Sequence, residues 1–282
     1  MAVLQSTSLL NIQKINEMGV SNVQDEVAIE EPLEIRIIYN LSGSRIEKNI
    51  SVTMRTPGND QELALGFLFT EGIIQGGGQI ESIHSKGNDD SISGNVICVK
   101  LCEGVLPSLA SSERNFYTTS SCGVCGKASI EAITTHSQFK GITSQSKVTP
   151  MLIYELQSTL RKHQKTFERT GGLHASALFS EEGELQILRE DVGRHNALDK
   201  VIGIALQGKL LPLDRSILLL SGRASFELIQ KAVMAGIKIV VAIGAPSSLA
   251  VQVAIENDLT LIGFLREKNF NIYSGRSRIL TG

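Results

Sequence analysis

The stretch Ile217-Leu218-Leu219-Leu220-Ser221-Gly222-Arg223 decides the fold class, because four consecutive apolar residues lead directly into a small, glycine-containing turn. A second apolar run, Ile239-Val240-Val241-Ala242-Ile243, leads in the same way into Gly244. Continuous apolar runs of this length are typical of central β-strands that are buried on both faces of a sheet. They predict that the C-terminal half of the chain is a three-layer α/β domain.

The residues around these two strands predict the other elements of this half. Thr149-Pro150 is typical of an N-cap followed by the first residue of a helix, which is predicted to continue to about His163. Two β-rich runs flank Glu181-Glu182-Gly183 and predict an antiparallel hairpin. Helices are then predicted over 196–207, 225–235 and 247–257, and strands over 216–221, 238–243 and 259–264. This order of elements is that of the cytidine deaminase-like fold.

The N-terminal half is predicted to be a smaller α+β region. Two β-rich runs, 33–39 and 45–54, flank Leu41-Ser42-Gly43-Ser44, which is typical of a hairpin. A helix is predicted to begin at Asn59 or Asp60 and to end at Gly72. We therefore divide the chain into a variable lead-in over 1–27 that could contain one edge strand, an α+β region over 28–136, and the α/β domain over 149–282.

Composition limits the classes of partner. With 282 residues, 42% of them hydrophobic, the chain can bury a sizeable core. A formal net charge of −2 excludes a strong general attraction to nucleic acid or to an anionic membrane surface. The apolar runs are far shorter than the roughly 20 residues that span a bilayer, and the N-terminus lacks the pattern of a signal peptide. We expect a cytoplasmic protein with neither a membrane nor a nucleic acid as partner.

Two of the four cysteines form a C-x-x-C motif in Cys122-Gly123-Val124-Cys125-Gly126. A helix is predicted to follow this motif, and a helix N-terminus favours the reactive thiolate form of a nearby thiol. A structural zinc site would need two more donors, and the next histidine, His136, has no partner three to five residues further on. A thioredoxin-like role is disfavoured because no strand directly precedes the motif. The spacing leaves a sulfur nucleophile or a persulfide carrier.

A zinc deaminase is the natural alternative for the predicted fold, but the ligands are missing. That chemistry needs a His or Cys ligand with a catalytic Glu two residues later, and P-C-x-x-C at the start of the next helix. The corresponding places hold His195-Asn196-Ala197 and Ser221-Gly222-Arg223-Ala224-Ser225, without that Glu and without cysteine. We therefore expect no bound metal and in particular no zinc.

Three turns between strands and helices in this half are rich in small residues: 191–196, 221–225 and 244–248. All three are predicted at the carboxyl edge of the sheet, where helix N-termini present unpaired N–H groups. Arg194 and Arg223 add planar donors that suit phosphate. A glycine-rich turn is also common for conformational reasons alone, and His195 could be either a ligand contact or a structural histidine. The three turns together with the two arginines favour a site for a phosphorylated ligand.

Several blocks of residues match one family, and the chain resembles the formate dehydrogenase accessory sulfurtransferases, FdhD, over about residues 33 to 275. The blocks that carry the resemblance are Met54-Arg55-Thr56-Pro57-Gly58, Glu62-Leu63-Ala64, Gly66-Phe67-Leu68, Thr70-Glu71-Gly72, Cys122-Gly123-Val124-Cys125-Gly126, Gly171-Gly172-Leu173-His174-Ala175, Glu190-Asp191-Val192-Gly193-Arg194-His195-Asn196-Ala197, Ser221-Gly222-Arg223 and Gly244-Ala245-Pro246-Ser247. No departure from the family pattern occurs within these blocks.

The resemblance implies a cytoplasmic, homodimeric sulfurtransferase. It would accept sulfur from a cysteine desulfurase as a persulfide and pass it to the bis-guanine-dinucleotide form of the molybdenum cofactor, which is its bound substrate, before insertion into formate dehydrogenase. The main sulfur carrier would be Cys122, assisted by Cys125. The residues that the resemblance and the turns assign to the cofactor are Phe264, Leu265, Arg266, Glu267, Lys268, Asn269, Arg194, His195, Ser221, Gly222, Arg223 and Gly244.

Two other classes of function remain open from the sequence. A non-catalytic chaperone would bind the molybdenum cofactor through its guanine nucleotides without needing either thiol. A vestigial nucleotide hydrolase would need a base that activates water, for which the turns offer only His195 or Asp191 and no metal ligands.

Overall fold

The computed structural model describes residues 6–86, 94–109, 137–142 and 144–280. Within those ranges the chain forms three β-sheets and six α-helices. The strands are β1 Thr7–Asn16, β2 Gly19–Ala28, β3 Glu31–Leu41, β4 Ser44–Arg55, β5 Ile80–Ser85, β6 Val96–Leu101, β7 His174–Phe179, β8 Leu185–Asp191, β9 Ile217–Leu220, β10 Ile239–Ala242, β11 Thr260–Arg266 and β12 Asn269–Ser274. The helices are α1 Asp60–Thr70, α2 Pro150–His163, α3 Lys165–Thr170, α4 Arg194–Gln207, α5 Phe226–Met234 and α6 Ser248–Glu256. No described helix is long and apolar enough to cross a membrane.

The largest sheet has six strands in the order β12-β11-β10-β9-β7-β8, of which β9, β10 and β11 are mutually parallel. Every residue of β9 and β10 is buried, which confirms that these two strands are central. Successive residues of β9 alternate between two apolar clusters. Leu218 and Leu220 pack with α4, α5 and α6, whereas Ile217 and Leu219 pack with α2. The prediction of a mixed α/β protein is confirmed, and the assignment to the cytidine deaminase-like fold stays a prediction.

The last part of this sheet differs from the prediction, which ended the final strand at Phe264. The strand β11 continues through Arg266 and returns as β12, an antiparallel edge strand. The pairing contains an irregularity between Gly263 and Arg266, where Phe264 has a positive φ of 54°. Glu267, Lys268 and Asn269 lie at the tip of this hairpin. Their polar side chains are typical of a loop, which is why the sequence did not predict a strand after them.

The N-terminal half contains a four-stranded sheet in the order β4-β3-β6-β5. The predicted hairpin is present as β3 and β4. The lead-in is more ordered than predicted, because Thr7–Asn16 and Gly19–Ala28 pair over their whole length as a second hairpin. Its apolar side chains, such as Leu9 and Ile15, are exposed. The one-sided apolar alternation that marks a half-buried strand is therefore absent.

One of the apolar clusters in the described part of the chain joins the two halves. One cluster contains Leu33 and Leu63 from the N-terminal half together with Leu198 and Leu218 from the C-terminal half. A buried ion pair lies at the same junction, where Lys231 Nζ is 2.9 Å from Asp199 Oδ2, and Asp199 also accepts a hydrogen bond from Thr70. The predicted boundaries of 1–27, 28–136 and 149–282 stay predictions.

Candidate functional site

The carboxyl ends of β9, β10 and β11 lie at one edge of the sheet because the three strands are parallel. Backbone hydrogen bonds tie the turns that follow β9 and β10 to each other and to the carboxyl-terminal part of β11. The N–H of Gly244 donates to the Gly222 carbonyl at 2.9 Å, and the N–H of Phe264 donates to the Gly244 carbonyl at 3.1 Å. The structure thus brings together two of the three turns that the sequence assigned to a ligand site, 221–225 and 244–248, and places Phe264 beside them.

Gly244 is required by this close approach of two turns. A β-carbon at this position would lie 2.9 Å from the Arg223 Cα and 2.9 Å from the Gly222 carbonyl oxygen. Both contacts are closer than real β-carbons allow, and both involve backbone that cannot easily move. The spacing between the turns after β9 and β10 therefore depends on glycine.

The start of β7 completes the edge beside these turns. The hydroxyl of Ser221 accepts a hydrogen bond from the Ala175 N–H at 2.8 Å, which fixes β7 next to the turn after β9. His174, the first residue of β7, is half-buried. Burial lowers its pKa, and the positive charges of Arg194, His195 and Arg223 lower it further, although Asp191 opposes them. His174 is consequently neutral at neutral pH.

Asp191 holds the turn between β8 and α4. Its Oδ1 accepts hydrogen bonds from the Gly193 N–H at 2.8 Å and from Asn196 Nδ2 at 3.1 Å. Its Oδ2 accepts one from the Thr56 N–H at 3.2 Å and lies 2.7 Å from Lys200 Nζ. Asp191 is fully buried and surrounded by these donors, so it is a structural residue and not the water-activating base that a hydrolase would need.

Arg194 and Arg223 are cations without partners among the described residues. The guanidinium of neither residue forms a hydrogen bond or ion pair with any residue in the described part of the chain, and the Nε atom of Arg194 is buried without a partner. Arg194 begins α4 after Gly193, and Arg223 lies two residues before Ser225, the N-cap of α5. Neither helix start is capped by a side-chain hydrogen bond. Two free guanidinium groups beside two helix N-termini form a site with the chemistry for an anion such as phosphate.

His195 lies beside the two arginines and contacts Glu227, a residue that the sequence did not suggest. His195 Nε2 lies 3.4 Å from the Ser225 hydroxyl and 3.8 Å from Glu227 Oε2. Burial by itself raises the pKa of Glu227, but the neighbouring His195, the backbone of Glu227 itself and Ser225 stabilise the carboxylate, outweigh burial and lower the pKa to about 2. No sequence signal marks Glu227, because a glutamate in the first turn of a helix is common.

The residues from Phe264 to Asn269 occupy different environments. Phe264 is 40% exposed, and the side chain of Leu265 is buried in the core, so Leu265 could reach a ligand only through its backbone. Arg266 donates to the Ile243 carbonyl at 2.9 Å, which ties the hairpin to the end of β10. Glu267, Lys268 and Asn269 are exposed at the hairpin tip.

A cavity of about 380 Å³ is lined by Thr56, Leu173 and Lys200, among others. Lys200 is paired with Asp191, and Arg189, which also lines this cavity, is paired with Glu62. The cations of this cavity are therefore neutralised, in contrast to Arg194 and Arg223. The free positive charge favours the edge of the sheet as the ligand site.

The two cysteines of the C-x-x-C motif, Cys122 and Cys125, lie outside the described residues. Among the residues that are described, no group of three or more His, Cys, Asp or Glu side chains could hold a metal ion. Cys98 is buried beside Ile38 and Val96, and burial raises the pKa of its thiol.

Comparison with known proteins shows one family. The family model described as FdhD/NarQ matches residues 28–280. A protein of Streptomyces coelicolor is 50% identical over 277 residues, which cover 97% of this chain and 95% of that protein. A protein of Mycobacterium tuberculosis is 46% identical over 280 residues (97% and 99%), and one of Sulfurisphaera tokodaii is 42% identical over 271 residues (96% and 98%). Each of these three is named sulfur carrier protein FdhD.

The solved structures with a similar fold include one from a bacterium. A crystal structure described as that of a formate dehydrogenase accessory protein, from Desulfotalea psychrophila, matches with a TM-score of 0.73 and 23% sequence identity. The match covers 98% of this chain and 100% of that chain. At this identity the likeness concerns the fold alone.

Proposed function

We propose, since the chain belongs to the FdhD/NarQ family, that it is a sulfur carrier that serves a formate dehydrogenase. In this proposal Cys122 receives sulfur from a cysteine desulfurase as a persulfide. The sulfur then passes to the bis-guanine-dinucleotide form of the molybdenum cofactor, the substrate, before that cofactor enters formate dehydrogenase. The roles of Cys122 and Cys125 rest on their C-x-x-C spacing and on the family resemblance. We further propose that the protein works as a cytoplasmic homodimer.

The observation that carries the ligand part of the proposal is the free charge at the sheet edge. Arg194 and Arg223 have no partners among the described residues, and they lie beside the uncapped starts of α4 and α5. Phosphate groups bind in such places because guanidinium groups and helix N–H groups both donate to their oxygens. A guanine dinucleotide carries phosphates of this kind, and the exposed Phe264 and Lys268 lie on the neighbouring hairpin.

The sulfur steps balance with thiol chemistry alone. The Cys122 thiolate attacks the outer sulfur of the desulfurase persulfide, the sulfur–sulfur bond of the donor breaks, and the desulfurase cysteine leaves as a thiolate. Cys122 then carries one additional sulfur. Attack of the Cys125 thiolate on the inner sulfur forms a Cys122–Cys125 disulfide and releases hydrosulfide to the molybdenum of the substrate. A cellular thiol must reduce the disulfide before the next cycle.

Mass spectrometry after incubation with a cysteine desulfurase and cysteine tests the carrier role. We expect added sulfur on Cys122 that a reductant removes, its absence in Cys122→Ala, and its retention in Cys125→Ala. Added sulfur that persists in Cys122→Ala would contradict the assignment. A Cys122→Ala/Cys125→Ala variant that still activates formate dehydrogenase fully would instead support a chaperone that binds the cofactor without carrying sulfur.

Titration with guanosine diphosphate tests the ligand site separately from the sulfur chemistry. We expect saturable binding by the intact protein that is lost when Arg194 and Arg223 are both replaced by glutamine. Failure to bind guanosine diphosphate under all conditions would contradict the site, even if Cys122 carried sulfur.

A further inference from the structure

His195 and Glu227 connect the starts of two helices at the proposed ligand site. His195 is the second residue of α4 and Glu227 is the second residue of α5. Their closest atoms, Nε2 and Oε2, are 3.8 Å apart, and the side chains are only 16% and 22% exposed. The hydroxyl of Ser225 lies 3.4 Å from the same ring nitrogen. The imidazole ring of His195 is therefore held between a hydroxyl and a carboxylate.

Glu227 places a negative charge where an anion is expected to bind. Its pKa of about 2 means that it is ionised throughout the physiological range. A carboxylate within a few ångströms of a phosphate opposes binding by like-charge repulsion, unless a neighbouring cation neutralises it. Within the described part of the chain, the cation in contact with Glu227 is the protonated form of His195, because Arg194 and Arg223 form no ion pair with Glu227 or any other described residue.

We propose that His195 and Glu227 form a proton-linked pair, through which a phosphorylated ligand binds more tightly as the pH falls. This inference rests on the proposed function, because it concerns the same ligand site. With His195 protonated, the pair is neutral and the ring can donate to a phosphate oxygen. With His195 neutral, the charge of Glu227 faces the ligand uncompensated. Glu227 acts through His195 and is a positioning residue, whereas His195 touches the ligand.

The other charged groups at this edge do not account for a change near neutral pH. Arg194 on α4 and Arg223 after β9 stay protonated at every relevant pH. Asp191 on β8 is buried and held by its donors. The lowered pKa of His174 on β7 moves its titration to the acid side of neutrality. Among the described residues at this edge, His195 in contact with the Glu227 carboxylate is therefore the group that links protons to the ligand.

The test is calorimetric titration of the full-length protein with guanosine diphosphate between pH 6 and 8. We expect the affinity to fall by at least about fivefold across this range, a typical coupling between two sites. The direction is informative, because phosphate gains negative charge over the same range and would by itself bind arginine more tightly as the pH rises. His195→Gln is expected to abolish the fall. Arg215→Gln, a change in an exposed arginine just before β9 at the opposite end of that strand, is expected to keep it.

A second measurement does not depend on the ligand. Nitrogen NMR of the histidine rings, with the His195 signal assigned by its loss in His195→Gln, follows protonation directly. Removing the carboxylate in Glu227→Gln is expected to lower the pH midpoint of His195, because a nearby negative charge favours the imidazolium form. An unchanged midpoint overturns the pairing, and so does a wild-type affinity that is constant or rises with pH. Both results leave the proposed function standing if guanosine diphosphate binds. Absence of binding at every pH overturns the ligand site and the inference together.

Discussion

Gly66 of α1 and Gly203 of α4 occupy reciprocal positions where the two helices cross. A β-carbon on Gly66 would lie 1.8 Å from the carbonyl oxygen of Asp199 in α4. A β-carbon on Gly203 would lie 1.8 Å from the carbonyl oxygen of Glu62 in α1. The backbones of the two helices are thus in direct contact, and neither glycine can be replaced without separating them.

Gly66→Ala is expected to destabilise the protein by about 3 kcal/mol or more, at the upper end of the cost of overpacking, because the clash is with backbone and not with a mobile side chain. Urea unfolding followed by circular dichroism measures the change. Gly78→Ala is the matched control, since a β-carbon there meets nothing within 4 Å. Equal stabilities of the Gly66 and Gly78 variants would contradict the observed crossing.

Lys231→Met is expected to cost about 3–5 kcal/mol, because it leaves the buried carboxylate of Asp199 without its counter-ion. The double variant Lys231→Met/Asp199→Leu removes both charges and should recover most of the lost free energy of unfolding. Denaturant titrations of the two variants and the wild type measure these free energies of unfolding. A double variant that is no more stable than Lys231→Met would show that the two charges do not act as a pair.

Arg194→Gln and Arg223→Gln are each expected to weaken binding of guanosine diphosphate by roughly 10- to 100-fold, the loss typical of one charged hydrogen bond. Their thermal stability should change little, since neither guanidinium has a partner among the described residues. Titration calorimetry and thermal melts of the same samples give both quantities. Arg215→Gln, which removes an exposed arginine far from the site, should leave affinity unchanged. Lost stability with unaltered affinity would assign the two arginines a structural role.

His174→Gln is expected to make stability less sensitive to acid. Because burial lowers the folded-state pKa of His174 below 6.5, the unfolded chain binds more protons between the two values. The stability that neutral His174 contributes is complete above about pH 6.5 and is lost as the pH falls through this window. The free energy of unfolding, measured between pH 5.5 and 7.5, should therefore fall less steeply in the variant. The exposed His163→Gln serves as the control, and identical slopes for both variants would refute the prediction.

The central strands were predictable because β9 and β10 are buried on both faces, and a strand of this kind has a continuous apolar sequence. The hairpin of β1 and β2 was not predictable in the same way. Its strands bury little, and apolar residues such as Leu10 remain exposed, so no periodicity marks them. β12 was missed because it follows a polar turn and is an edge strand.

Some residues of the candidate site could be predicted from the sequence and others could not. Small residues and arginines next to predicted strand ends indicated the turns at Arg194, Arg223 and Gly244, because local chemistry is visible in the sequence. The roles of Asp191 and Glu227 depend on partners distant along the chain, such as Thr56 for Asp191 and His195 for Glu227. No spacing rule connects such residues before the fold is known.

The core that joins the two halves also bears on how this protein can change during evolution. A chimaera that combined residues 31–101 of one relative with the α/β half of another would have to match side chains across a continuous interior. It would also have to keep the contact between α1 and α4, in which each glycine faces the backbone of the other helix. The two halves are therefore expected to be inherited together. A substitution in one half at the shared core or at the α1–α4 contact is expected to be followed by a compensating change in the other half.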